Sequence, residues 1–386
     1  MKLKIARNDL VELLARGGSS AARNAAIPIL GHVRLTASAD RLEVTSCNTD
    51  LQSRASGPAA VEVAGDVTVP AAALKTIVDR LPAGCDLSLT LDGADMIVKS
   101  GRSRLRLPTL PVDAFPSLDA TMQFESATFD LSGADLDLLL AKTSAIGALD
   151  KTRTNLHCVY LHPSKGADGP ALTAVATNGH ILLREQIPLP EGAVSLPAGG
   201  VMLPIEAIEA ALRLFKAAPS VRLVLGTNRA EMSIESTSLV TKLVDGDYPD
   251  YQRVIPKEGP ASVTLDRAST VATLALLDAF ASGDQGRKIE CAPTDGGLGI
   301  AAGSATDGDG YAVAGAEIGG EVPVFGLSIL YLRMMLGAFR SDWIRLSLSD
   351  PGAPILATAS GETTVGVLMP MRTAGTLVKD RRNEQA

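Results

Sequence analysis

Aromatic side chains are scarce in this chain: Phe, Trp and Tyr make up 3% of its 386 residues. Its cores must therefore be built from Leu, Val, Ile, Ala and Met. Cysteine is rare as well. Cys47, Cys85, Cys158 and Cys291 lie far apart and form no C-x-x-C pair, which points to reduced, packed thiols and away from a disulfide framework or zinc site. No apolar run approaches the roughly 18 residues that span a bilayer. The opening Met1-Lys2-Leu3-Lys4-Ile5-Ala6-Arg7 lacks the apolar stretch of a signal peptide, so a cytoplasmic location and no membrane partner are expected.

Catalytic signatures are missing too. His180, after Asn178 and Gly179, has no partners that would complete a nucleophile, a base and an orienting group. His157 and His162 are five apart and lack the spacing and acidic partner of a helical zinc site. There is no Walker loop, and Gly296-Gly297-Leu298-Gly299 does not fit the dinucleotide fingerprint. No catalytic residue, metal or cofactor is expected. The formal net charge of −7 and a pI near 5.3 argue against a protein that grips nucleic acid over its whole surface. Any DNA contact must be confined to one face.

What the chain does carry is a long internal period. Apolar residues at helical spacing recur over residues 9–16 (Leu10, Leu13, Leu14), 134–143 (Leu136, Leu139, Leu140) and 267–278 (Val271, Leu274, Leu277). A second helix series follows over 71–80, 205–216 and 328–339, with Pro70, Pro204 and Gly326 at or before the starts. Short β-patterned stretches lie between them at 42–46, 172–176 and 298–301. Residues 96–99 and 104–107 read as a hairpin across Ser100-Gly101. At 386 residues the chain exceeds one core. It reads as α+β: three similar domains, each with two helices packed on antiparallel sheet. The boundaries fall at 1–124, 125–256 and 257–374, and 375–386 reads as a disordered tail.

Several local strings resemble the bacterial DNA polymerase III beta subunit, the beta sliding clamp. They are Ile27-Pro28-Ile29-Leu30, Asn48-Thr49-Asp50-Leu51, Ser100-Gly101-Arg102-Ser103-Arg104, Leu110-Pro111 and Phe115-Pro116 in the first domain. Val175-Ala176-Thr177-Asn178-Gly179-His180 follows in the second, and the run 243–256 (LVDGDYPDYQRVIP) matches the link to the third. Val367-Leu368-Met369-Pro370-Met371-Arg372 resembles the family's C-terminus. Their joint order and spacing agree with the independent repeat.

The resemblance implies a DNA polymerase processivity factor: a homodimeric, head-to-tail ring with helices lining the hole and duplex DNA threaded through it without sequence preference. A ring holds DNA by topology, so its lining needs only weak attraction, whereas strong phosphate contacts would drag and would fade with salt. The implied DNA-facing residues are Arg23, Lys75, Arg80, Lys151 and Arg153, and the implied dimer contact involves Lys75 and Phe280. Other basic residues near helix ends are Arg16, Lys142, Arg213, Lys216 and Arg333, which helix dipoles alone would favour there. Family members often carry basic residues just after the prolines at 70 and 204; here stand Ala71, Ala72, Ile205 and Glu206.

The family also docks short peptides from the DNA polymerase III alpha subunit, the clamp loader, and other polymerases and repair proteins. Carried over residue by residue, that pocket comprises Leu156, Thr177, Gly179, His180, Leu182, Pro249, Arg253, Val254, Val367, Met369, Pro370, Met371 and Arg372. For the apolar members, plain core packing is the competing reading. The family usually has Asp at the place of Asn178 and Arg at the place of Ile181, so partner preference can differ. A clamp paralogue for repair or inhibitor resistance is the alternative; it would share the ring but not the partners.

Overall fold

The computed structural model describes residues 1–118, 125–196, 199–280, 288–304, 308–373, 375 and 378. Its element order repeats three times. The first pass is β1 (Lys2–Ala6), α1 (Arg7–Gly17), β2 (His32–Ser38), β3 (Arg41–Cys47), β4 (Leu51–Pro58), β5 (Ala60–Val63), β6 (Gly65–Pro70), α2 (Ala71–Arg80), β7 (Asp86–Asp92), β8 (Asp95–Ser100) and β9 (Ser103–Pro108). The second is β10 (Glu125–Leu131), α3 (Gly133–Gly147), β11 (Cys158–Lys165), β12 (Pro170–Thr177), β13 (Ile181–Pro188), β14 (Val201–Pro204), α4 (Ile205–Phe215), β15 (Val221–Gly226), β16 (Arg229–Ile234) and β17 (Thr237–Lys242). The third is β18 (Ala261–Asp266), α5 (Arg267–Leu277), β19 (Lys288–Thr294), β20 (Gly297–Ser304), β21 (Gly308–Ala314), β22 (Ala316–Gly319), β23 (Phe325–Ser328), α6 (Ile329–Ala338), β24 (Trp343–Leu348), β25 (Ile355–Thr358) and β26 (Val365–Leu368). The pattern is strand, helix, strands, helix, three strands, each time.

All six helices fall where the apolar spacing places them. Leu10, Leu13 and Leu14 of α1 are buried, as are Leu74 and Val78 of α2. In α5 the buried face is Thr270, Thr273, Leu274 and Leu277, whereas Val271, expected inside, is exposed. The reason is local. Asp266 caps the helix by accepting from the Ser269 N–H at 2.7 Å, and Thr270 Oγ1 donates to the Asp266 carbonyl at 2.7 Å. With its hydroxyl satisfied, Thr270 turns inward and Val271, about 100° further round, turns out.

The chain divides into two compact units, residues 1–137 with 189–245 and residues 138–188 with 246–386. In the first, a five-stranded sheet runs β5-β1-β7-β8-β9 and an eight-stranded one runs β10-β15-β16-β17-β4-β3-β2-β6. The seam of the larger sheet joins two repeats: β17 pairs antiparallel with β4, from Thr237 opposite Ala55 to Thr241 opposite Leu51. The aliphatic core of this unit gathers Leu10, Leu13 and Leu14 with Val33, Leu35, Leu42 and Val44. Gly17 ends α1 against β3, where a Cβ would lie 2.1 Å from the Val44 carbonyl oxygen.

In the second unit, strands run β11-β12-β13-β26-β25-β24-β18-β22, beside a four-stranded sheet β21-β20-β19-β23. Here β13 pairs antiparallel with β26, with Leu182 opposite Val367 and Arg184 opposite Val365. So the same kind of seam recurs: the third strand after one repeat's first helix meets the last strand of the next repeat. Two counterparts, β9 and β21, instead lie at the edges of their sheets. Of the tail expected to be disordered, Gly375 and Val378 are described and are buried, Val378 among Ala292, Ala301, Tyr311 and Val324. Lys379, Asp380, Arg381, Arg382, Asn383 and Glu384 lie outside the described residues. No helix among the described residues is long and apolar enough to cross a membrane.

Candidate functional site: a cavity on the β13–β26 seam

The seam in the second unit carries a cavity of about 240 Å³. Its floor is the paired Leu182 and Val367, and Tyr251 and Val175 pack beneath them. Support from below comes from the chain's few aromatics. Tyr160 stacks on Tyr248 with centroids 4.7 Å apart, and His162 Nε2 lies 2.9 Å from the Tyr251 hydroxyl. Burial pushes the Tyr248 hydroxyl's pKa up and that of His162 down. Burial thus favours the uncharged forms of both groups beneath the cavity floor.

One wall is the tight turn from β12 to β13. Gly179 adopts φ 87°, which glycine permits at no steric cost. Asn178 Oδ1 accepts from the N–H groups of His180 and Ile181, at 2.9 and 3.0 Å. Its Nδ2 donates to the Tyr331 hydroxyl at 3.0 Å. Through that donation the asparagine amide ties the turn to α6; an aspartate here would have to accept from the tyrosine hydroxyl instead. The His180 carbonyl accepts from the Met369 N–H at 2.8 Å, bringing the segment after β26 alongside.

Of the thirteen residues implied by resemblance, Leu156, Thr177, Gly179, His180, Leu182, Pro249, Val254, Val367 and Met369 line this cavity. Arg253, Pro370, Met371 and Arg372 do not line it. Arg253 points to solvent, paired with Asp250 at 2.8 Å. The Met371 N–H donates to the Gly326 carbonyl at 2.8 Å, which directs the chain toward β23. Four lining residues were not anticipated there: Arg153, Ile181, Asp250 and Tyr251.

Arg153, expected to face DNA, is half-exposed and fastened at the cavity rim. Its Nε donates to Asp150 at 2.6 Å and its terminal nitrogen to the Asn178 carbonyl at 2.6 Å. Hydrogen bonds from Thr152 and Arg153 hold the Asp150 carboxyl well below the usual carboxylate range. The signal in the sequence was the Asp150-Lys151-Thr152-Arg153 run, in which an aspartate can cap the backbone two and three residues on. Cys158, packed nearby on β11, has its thiol pushed up to about 12 by burial. It is no nucleophile.

The other implied DNA-facing residues are on the surface. Arg23, Lys75, Arg80 and Lys151 are exposed. Lys75 is 2.7 Å from Asp79 on the same helix, and Arg16, Lys216 and Arg333 likewise have acidic partners in Glu12, Asp137 and Asp278. Arg23, Arg80, Lys142, Lys151 and Arg213 carry no acidic partner among the described residues, so the freely available positive charge is smaller than the residue count implies. Phe280, implied at the dimer contact, sits beside β21: a Cβ on Gly310 would meet its ring at 2.8 Å.

Repeated α+β modules that continue one another through shared antiparallel sheets, with a cavity on one of the seams, define the class by architecture. Comparison with known proteins agrees. The N-terminal domain model of the DNA polymerase III beta subunit matches residues 1–119, and the central domain model matches residues 130–250. A beta sliding clamp of Caulobacter vibrioides is 32% identical over 379 residues, covering 96% of this chain and 100% of that protein. The Pseudomonas aeruginosa beta sliding clamp is 29% identical over 385 residues, covering 96% and 100%. Among solved structures, Caulobacter crescentus pol III beta superimposes with a TM-score of 0.91 at 31% identity, covering 97% of this chain and 100% of that one. A Bartonella birtlesii clamp bound to griselimycin gives 0.90 at 29% identity, with coverage of 97% and 100%. The chain belongs to the DNA polymerase III beta subunit family, the bacterial beta sliding clamps. It is a non-catalytic processivity subunit, and nothing in these comparisons favours a paralogue for repair or inhibitor resistance.

Proposed function

We propose that two copies of this chain, each built of domains 1–124, 125–256 and 257–374, close head to tail into a ring around duplex DNA. Bound in this way at the nucleoid, in the cytoplasm, the ring tethers the DNA polymerase III alpha subunit. One observation carries the closure. The β4–β17 and β13–β26 seams each join equivalent strands of successive repeats. By the same rule β21 of the third repeat should join β9 of a first repeat, and within one chain both are sheet edges. Unpaired edges seek partners. A head-to-tail contact of this kind closes when its rotation allows. Phe280, beside β21, falls naturally at that contact.

The cavity over Leu182 and Val367 would receive the Leu or Phe anchors of linear peptides from the polymerase, the clamp loader and repair proteins, with Met369 as an adaptable wall. Ile181 in the lining favours apolar over acidic peptide residues at that point. Arg23, Arg80 and Lys151 supply diffuse, sequence-independent attraction to phosphates inside the ring. The decisive experiment places the protein on nicked circular DNA with a clamp loader and then linearises the DNA. Release on linearisation is expected, and retention would refute encirclement. A solution mass near twice 40.0 kDa is expected for the free protein.

A further inference from the structure

The two seams are alike beyond their strand pairing. On the first, Asn48 Oδ1 accepts from the N–H groups of Asp50 and Leu51 at 3.1 and 2.8 Å, as Asn178 Oδ1 does from His180 and Ile181. The Lys242 N–H donates to the Asp50 carbonyl at 2.9 Å, the counterpart of Met369 on His180. Asn48 Nδ2 donates to Glu206 on α4 at 2.9 Å, where Asn178 reaches Tyr331 on α6. The apex of the turn matches too: Thr49 holds φ 80° and Gly179 φ 87°. A β-branched residue stays in that left-handed region only where its surroundings impose it. The first seam thus reproduces the frame that carries the cavity on the second.

The residues set in that frame differ. Register places Gln52 opposite Val240 where the second seam has Leu182 opposite Val367. Leu118, two residues after Pro116, stands for Tyr251, two residues after Pro249. Each is buried against its own seam, Leu118 with Cys47 and Val240, Tyr251 with Leu182 and Val367. Gln52 is 2% exposed, and its Oε1 accepts from the Leu118 N–H at 2.9 Å. Arg229 donates to the Leu118 carbonyl, so this residue is clasped on both sides of its backbone. Leu182, an apolar side chain, has no acceptor with which to hold Tyr251 in this way. At the rim, Lys242 Nζ pairs with Asp50 at 2.8 Å, two charges where Met369 and His180 line the second seam. An apolar anchor entering there would have to strip water from both.

We infer that the first seam is a second, shut copy of the docking seat, and that Gln52 shuts it and so confines peptides to one seat per chain. The inference rests on the docking reading of the second seam and adds the reason that its duplicate stays silent.

The test counts a photoreactive peptide with Leu and Phe anchors bound per chain, by native mass spectrometry of the full-length protein. The unaltered protein should take one. Gln52→Leu combined with Lys242→Met installs the second seam's apolar chemistry; this variant should take two, the second more weakly, and the peptide should then label residues 115–118 as well as 249–254. Gln52→Met, close to glutamine in shape, should act alike in place of Gln52→Leu should the latter fail to fold, and Gln52→Glu, which keeps the acceptor, should stay at one. Without peptide, either apolar change should speed hydrogen exchange of the Leu118 amide about tenfold, the loss of one buried hydrogen bond. Unchanged exchange at Leu118, or a single peptide per chain on both folded double variants, overturns the inference and leaves the docking cavity standing. Two peptides per chain on the unaltered protein overturn the shut state. No peptide on the unaltered protein overturns the docking reading, and this inference with it.

Discussion

Glu185 offers a sharp test of the second unit. It lies on β13, next to the strand's pairing with β26, and is 1% exposed. Burial is the main cause that lifts its pKa from 4.5 to about 7; Glu362 adds to the rise, while the Thr364 hydroxyl donating at 2.9 Å, Arg340 and Arg184 oppose it. A raised folded-state value means that the folded chain holds this proton more tightly than the unfolded chain. The associated stability is complete below the unfolded value near 4.5 and is lost as pH rises through about 7. At ~1.4 kcal/mol per pKa unit, the rise from 4.5 to about 7 corresponds to ~3.5 kcal/mol. Glu185→Gln keeps an acceptor for Thr364 and removes the charge. In urea unfolding it should match the parent near the acid end of the window and exceed it by ~3 kcal/mol at about pH 8. Parallel pH profiles for the two proteins would show that the carboxyl is not held in this way and would refute the reasoning.

Val254 and Met369, half-exposed at the cavity rim, can be truncated with little effect on folding. Each change to Ala should weaken a fluorescently labelled peptide with Leu and Phe anchors by roughly tenfold, from ~1–2 kcal/mol of lost apolar contact; unchanged anisotropy titrations would exclude the cavity as the docking site. Gly192 has φ 88°, and a Cβ there would lie 2.1 Å from the Thr128 carbonyl oxygen. Gly192→Ala should therefore cost about 3 kcal/mol in thermal or urea unfolding, and a neutral result would contradict the close approach. Cys158, with its thiol pushed up to about 12, should resist alkylation by iodoacetamide in the native protein and react once unfolded. Fast native labelling would contradict its burial.

Much of the fold was legible because its helices are short and amphipathic and its apolar stripes recur in fixed order. Leu10, Leu13 and Leu14 declare their face by spacing alone. Val271 misled because β-branched apolar residues look like core until a neighbouring threonine satisfies its hydroxyl on the helix backbone. The seams were not legible. Thr237 opposite Ala55 and Ile181 opposite Leu368 are 182 and 187 positions apart, and nothing local specifies such pairings. Nine of the thirteen residues carried over by resemblance line the cavity, and strand pairing with the Gly179 turn brings Thr177, Gly179, His180, Leu182, Val367 and Met369 together. Tyr251 was missed, although three of only five tyrosines, Tyr160, Tyr248 and Tyr251, pack together at the cavity, the first two stacked and the third edge-on to Tyr160. In a chain so poor in aromatics, the tyrosines at 248 and 251 beside Pro249 were a readable clue.

The recurrence of one seam has a consequence that a cross-linking experiment can decide. If β9 of one copy pairs with β21 of another, the contact is heterologous: each chain offers β9 to one neighbour and β21 to another. Such contacts close into a ring where their rotation allows and otherwise run on into filaments. The four native cysteines are unbonded, and Cys47, Cys158 and Cys291 are buried, which leaves new surface thiols nearly free of competition. Cysteines stepped along Leu105 and Arg106 on β9, combined with Gly310 to Val313 on β21, should yield at least one pair within the ~7 Å Cα separation that a disulfide requires. Two closures per ring give a single covalent dimer, resolved under denaturing conditions at twice 40.0 kDa with nothing larger. A ladder of higher multiples would mean that the seam repeats without closing, and topology could not hold such an assembly on DNA. Absence of cross-links at every register would mean that the two edges do not meet, and the rule read from β4–β17 and β13–β26 would stop at the chain's own ends.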